Sequence, residues 1–335
     1  MATPQTNDAA ARATVAPAAR PGASWASKLI GVQGPLIGLV ILCVAFSFAS
    51  PAFLSIRNLL NVLDQGTVLG ILAIGMTLVI ILGGIDLSVG SVLAFSMMIL
   101  GWLSHDCNLP LILAVLAALL VGALCGWVNG LLVTRAKLPA FIATLSMMTI
   151  ARGLANIITD GRQIVGYPAW FDSFATDRHF GFLSLTVTLA IILVLISWIF
   201  LRYRATGRGL YAIGGSAEVA RLAGIRVRQM TTWVYTAAGL LSGLGGIVLA
   251  SRLDSSQPSA GLGYELDAIA AVVIGGASLS GGVGGIGGTV VGVLIIGVLH
   301  NGLNLTGVSP FIQQVVIGIV IALAVSTDTL RRRKT

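Results

Sequence analysis

The chain has 335 residues, of which 56% are hydrophobic and 10% charged, and its mean hydropathy is +0.96. Soluble domains carry about 25% charged residues, so this composition excludes an ordinary water-soluble globule and points to lipid as the solvent. The net charge of +8 is divided among short segments between apolar runs, which fits a topology signal better than a nucleic-acid-binding stripe.

Residues 1–28 are rich in Ala, Pro and Thr, carry Arg12 and Arg20, and lack a continuous apolar core. They read as a disordered cytoplasmic tail rather than a cleaved signal peptide. A helical span needs about 20 mostly apolar residues. The runs that qualify are 30–48, 62–82, 86–103, 110–133, 139–158, 183–201, 230–251, 265–280, 286–303 and 310–328. The third opens on Asp86 with Ser88, Gly90 and Ser91, and the eighth is interrupted by Gly275 and Gly276. Each of these two is read as either continuous or broken and partly re-entrant, which protein-covered backbone permits. The fold expected is all-α: a polytopic transmembrane helical bundle of about ten helices over residues 29–330, followed by a basic tail at 331–335.

Lys and Arg orient it. With the amino terminus inside, the cytoplasmic segments hold Arg12, Arg20, Lys28, Arg135, Lys137, Arg202, Arg204, Arg208, Arg221, Arg226, Arg228, Arg331, Arg332, Arg333 and Lys334. The outer segments keep Arg57, Arg162, Arg178 and Arg252, so both termini are placed in the cytoplasm. Two connections are long. Residues 159–182 lie outside and carry Tyr167, Trp170, Phe171 and Phe174, suited to the membrane interface; residues 202–229 lie inside and set six arginines against the single acid Glu218. The spacings Gly122/Gly126/Gly130, Gly239/Gly243 and Gly288/Gly292 mark helix faces where another backbone approaches closely. Cys43, Cys107 and Cys125 have no CxxC spacing and read as small packing residues.

The inner loop holds the informative segment, Gly214-Gly215-Ser216-Ala217-Glu218-Val219-Ala220-Arg221-Leu222-Ala223-Gly224-Ile225. Ser216 is a good N-cap, Glu218 suits the positive end of a helix dipole, Arg221 the negative end, and Gly224 a left-handed terminus. The pattern predicts a two-turn helix standing in a basic loop. So short a helix is unstable alone, so something must hold it. It reads either as a surface helix resting on the bundle or as a docking element.

The spacing E-V-A-R-L-A-G resembles the E-A-A-x-x-x-G loop of permeases in ATP-binding-cassette importers. Within that family it is similar to the ribose/xylose/arabinose/galactose branch, with Ser216 where Asn is usual and Val219 in place of an Ala. Gly75–Ile80, Gly84–Ser91, Phe141–Leu145, Gln257–Ala270 and Asn301–Leu305 extend the resemblance along nearly all of residues 30–330, closest to the ribose members. The resemblance implies the ABC importer permease fold, a multi-pass location in the bacterial inner membrane and import of a monosaccharide. It makes Ser216, Glu218, Val219, Ala220, Arg221 and Gly224 the coupling helix that docks in a groove of a cytoplasmic ATPase subunit. It further implies a periplasmic sugar-binding protein and a second copy of the permease as partners, besides membrane lipid. Cargo on this fold has a rival in branched-chain amino acids, whose permeases are related.

Candidate path residues come from polar side chains in or beside apolar spans. Asp86 reads as a helix cap or first-turn anion, or else as a gate residue. Asn129, Asn301, Asn304 and Gln313 either bond between helices or line an aqueous path, and Asn301 and Asn304, three apart on one face, have the strongest claim on a path. Chemistry of the chain's own is not expected. Gly282–Gly287 matches GxGxxG without a βαβ unit or a following acid, no GxxxxGK[ST] occurs, and His105, His179 and His300 are isolated. No cofactor or metal is expected. A secondary transporter, the remaining alternative, calls for acids within the spans, and the spans are almost free of them.

Overall fold

The computed structural model describes residues 25–179 and 182–332. Thirteen helices occur among them, and ten follow the apolar runs. These are α1 (Trp25–Ala49), α2 (Ile56–Ile81), α3 (Val89–His105), α4 (Leu111–Thr134), α5 (Ala140–Ile157), α7 (Leu185–Tyr203), α10 (Val227–Leu253), α11 (Tyr264–Ile274), α12 (Ile286–Leu305) and α13 (Pro310–Arg332). Three lie in the long connections: α6 (Ala169–Thr176) in the aromatic one, α8 (Ala205–Gly215) and α9 (Ala217–Leu222) in the basic loop.

Six of the helices, α2, α4, α5, α7, α10 and α12, have the length and apolar composition to cross a membrane. The apolar stretches Gly34–Ala49, Val89–His105 and Pro310–Val320 are shorter. The eighth run is not a continuous span. Its helix α11 has 11 residues, about 16 Å against a hydrocarbon core of about 30 Å. It ends because Gly275 packs backbone to backbone on Gly288 and Gly276 takes a left-handed φ of 92°. The chain then continues as turns, whose Gly282 N–H donates to Ile81 O at 2.9 Å. The third run is likewise non-helical over Asp86–Ser88 before α3 begins.

The expected tail at 1–28 overlaps α1, which opens at Trp25, and the carboxyl-terminal tail overlaps α13, which reaches Arg332; residues 1–24 and 333–335 lie outside the described residues.

The core is the contact of α10 with α2, α3 and α4, joined by α11 and α12. Its tightest part is made by glycine. Gly126 faces the Tyr235 carbonyl and Gly239, while a Cβ on Gly122 would stand 2.5 Å from the Gly239 carbonyl oxygen. Two of the three predicted GxxxG faces are thus the two sides of one helix crossing, where backbones touch and dispersion replaces the missing hydrophobic drive between helices in lipid, while Gly288 and Gly292 of the third pack on Gly275 and Ala271.

Short strands tie the loops at one end of the bundle. β1 (Ile164–Val165) pairs antiparallel with β4 (Ser255–Ser256), and β2 (Arg178–His179) with β3 (Leu183–Ser184). At this end Asp64 collects Arg178 at 2.9 Å and the Ser184 hydroxyl at 2.9 Å. At the opposite end Thr134 on α4 meets Thr232 on α10 at 3.1 Å, close to the basic loop.

Candidate functional site

Three groups of residues are candidates for function, and they occupy different depths of the bundle. The first is α9. Ser216 sits in extended backbone, and its Oγ accepts from the Val219 amide at 3.3 Å. At the other end Gly224 takes φ 83°, its N–H donates to Arg221 O, and the Ile225 N–H donates to Ala220 O, both at 3.0 Å. That paired closure is a Schellman motif, and it needs a residue at ease in the left-handed region. Arg221 donates to both Glu218 carboxylate oxygens, at 2.6 and 3.1 Å. These hydrogen bonds, with the cation's charge, hold the Glu218 carboxyl below its ordinary range. Only Ala220 of the segment is buried, at 2% exposure, whereas Val219 is 64% and Leu222 75% exposed. A capped helix with two bare apolar side chains at its tip presents a small convex knob.

What holds the knob is α8. Gly214 lies so close to Ile81 and Gly282 that a Cβ there would strike the backbone of both. A Cβ on Gly281 would stand 2.8 Å from Gly214 O and 2.9 Å from Gly83 Cα, and the Tyr211 hydroxyl donates to Gly284 O at 3.0 Å. The end of α2, the end of α8 and the turn between α11 and α12 therefore meet as three interlocked backbone segments. Packed backbones transmit displacement with little give.

The second group is a sealed polar cluster. Asp86 Oδ1 accepts from the Ser88 amide at 2.9 Å and from the Ser88 hydroxyl at 2.6 Å, and the Asn129 amide donates to Ser88 Oγ at 2.9 Å. Thr144 donates to Ile85 O at 3.2 Å. Asp86 therefore organises the turn before α3, and Ser88 occupies the N-cap position without a side-chain cap bond. Asp86, Ser88 and Asn129 are all buried, and the Tyr235 hydroxyl and Asn129 Oδ1 are buried there without a partner among the described residues.

The third group separates the two asparagines. Asn301 is buried and exchanges two 2.9 Å hydrogen bonds with Asn58 on α2. Asn304, one turn on, lines a cavity of about 380 Å³ between α2, α10, α11 and α12, and its Oδ1 accepts from Gln313 on α13 at 2.8 Å. The same cavity is lined by Asp267 and His300, paired at 3.2 Å. Sequence reading passed over this pair, since residues 33 apart on different helices leave no spacing signal. It also understated the acids: Asp86 and Asp267 are both buried. Among the described residues no group of three metal-ligating side chains occurs.

Comparison with known proteins adds the following. A family model described as branched-chain amino acid transport system / permease component matches residues 58–325. The ribose import permease protein of Bacillus subtilis (strain 168) is 48% identical over 297 residues, 88% of this chain and 92% of that one. That of Haemophilus influenzae is 43% identical over 299 residues, 88% and 92% respectively. The fructose import permease protein of Rhizobium meliloti is 38% identical over 307 residues, covering 89% and 85%. No solved structure matches the chain.

Proposed function

This chain belongs to the family of branched-chain amino acid transport system permease components, and on that premise we propose that it is the membrane-spanning subunit of an ATP-binding-cassette importer carrying a monosaccharide, ribose in the first instance. The observation that carries the cargo is the near full-length likeness to ribose import permeases. The family description favours a second reading, branched-chain amino acids. Against it, the similar relatives are named for ribose and fructose.

The chain itself moves sugar without hydrolysing ATP, since it has no phosphate-binding GxxxxGK[ST] loop. A separate cytoplasmic ATPase supplies the energy, a periplasmic binding protein delivers the sugar, and two copies of the permease face each other across the path. Residues 216–224 dock on the ATPase, with Val219 and Leu222 entering its groove. Their exposure, the two caps and the backbone interlock behind α8 all support that role. Closure of the ATPase then pushes α8 and α9 against the ends of α2 and the α11–α12 turn.

Topologically, ten segments traverse the inner membrane with both ends inside, α11 and the turn after it together making the eighth. The gathering of Arg135, Lys137 and the 202–229 arginines at one end supports this orientation, as does the return of Gly282 to Ile81.

The test is ATP hydrolysis by the purified permease–ATPase complex in the presence of the cognate binding protein. Ribose-loaded binding protein should stimulate turnover, and leucine should not. Stimulation by leucine alone would overturn the cargo, and failure of the ATPase to co-purify would overturn the importer.

A further inference from the structure

We propose that the cavity lined by α2, α10, α11 and α12 is a weak binding site for the sugar in transit, in which Asp267 accepts a sugar hydroxyl and His300 positions that carboxylate. This rests on the monosaccharide reading above.

The backbone around the cavity is the first reason. Two of its walls are Gln257–Gly261 and the start of α11, where the chain is not a continuous span. Gly261 reaches the second residue of α3, its Cβ position lying 2.7 Å from Gly90 O, so this irregular segment sits within the depth of the bundle. Non-helical backbone at that depth persists where protein covers it or where it borders water, and broken helices recur at transporter binding sites.

The inventory of side chains is the second reason. His300 Nε2 engages only Oδ2 of Asp267, leaving Oδ1 uncommitted among the described residues. The Asn304 amide nitrogen is free among them too, while its oxygen is held by Gln313. Gln257 spends its nitrogen on Ser255 and keeps its oxygen, and Arg252 makes one long 3.4 Å contact to Asp64 O. Gln65 and Tyr264 complete the wall. The cavity thus offers separate donors and acceptors, an aromatic ring, and one cation balanced by one anion. A neutral polyol, which presents hydroxyls that both donate and accept, matches this set. A zwitterionic amino acid would use Arg252 and Asp267 and leave the Asn304 nitrogen and the Gln257 oxygen unengaged by the ligand. About 380 Å³ leaves room for a monosaccharide with water around it, and loose filling suits a step that must release its cargo.

The experiment uses the complete complex, with Leu253→Cys on the cavity wall in a background lacking Cys43, Cys107 and Cys125. An impermeant maleimide should label the introduced thiol, and millimolar ribose should slow labelling while leucine does not. Asp267→Asn should raise the half-protecting ribose concentration by about tenfold or more, the scale of a hydrogen bond to a charged group. His300→Ala should shift it in the same direction, and His300→Gln, which keeps a donor, should restore protection. Assembly with the ATPase should persist in all three, which separates loss of the site from loss of the fold. Protection by leucine alone, or ribose protection indifferent to Asp267→Asn, would overturn the assignment. A parent complex that imports no monosaccharide would instead refute the functional reading beneath it.

Discussion

Gly224→Val is the sharpest perturbation of the proposed coupling element. In the structure nothing lies within 4 Å of a Cβ at Gly224, so the change meets no clash, and its cost is conformational. Holding a non-glycine residue at φ 83° costs about 1–2 kcal/mol, and a β-branched side chain lies at the upper end. The chain can escape by opening the last turn, which gives up the Gly224 and Ile225 amide bonds at about 1 kcal/mol each. Either way the closed helix loses about 2 kcal/mol, or about thirtyfold in population at 1.4 kcal/mol per decade. A six-residue helix has no further turns to absorb that loss. The assay is ATP hydrolysis stimulated by sugar-loaded binding protein, with ATPase co-purification measured alongside. Val should cut both, whereas Gly224→Asn, which tolerates the left-handed region, should retain most activity. Equal activity of the Val variant and the parent would refute the reasoning, and an Asn variant as poor as Val would refute its conformational basis.

Cysteines at Ser216 and at Ser173, in a background free of native cysteine, should label from opposite faces of the membrane; labelling of both by an impermeant reagent from the periplasm would overturn the ten-crossing topology. Gly126→Leu should lower the melting temperature of the purified protein, because it forces α4 off the Tyr235 and Gly239 backbone at about 1–3 kcal/mol; an unchanged melting temperature would show that the crossing is loose. In a double-mutant cycle, Asn58→Leu and Asn301→Leu should each destabilise alone and couple by about 0.5–2 kcal/mol, the range for polar pairs between membrane helices. Strict additivity would mean that the amide pair does not bind the two helices together.

The apolar runs made the helices legible, since a chain in lipid has few other ways to satisfy its backbone. Helix partners were less so: Gly122/Gly126/Gly130 and Gly239/Gly243 each announce a close contact, but nothing in the sequence says that they meet each other. The run at 265–280 looked like a span because hydropathy registers apolar content and not backbone path. It breaks where Gly275 presses on Gly288, a contact visible only in three dimensions. The caps of α9 were readable from Ser216 and Gly224 because capping is local chemistry. Asn301 and Asn304 shared one face by spacing, yet the helix turns enough in three residues to aim one at Asn58 and the other at the cavity. The Asp267–His300 pair and the interlock of Gly83, Gly214 and Gly281 depend on segments far apart in sequence, so spacing rules are blind to both.

Uptake by proteoliposomes tests the central claim most directly. Vesicles containing this chain with its ATPase, loaded with ATP and supplied externally with the binding protein, should accumulate labelled ribose. Omitting the ATP, the ATPase or the binding protein should reduce uptake to the leak of empty vesicles. Equal ribose uptake by vesicles holding this chain alone would contradict an ATP-driven importer.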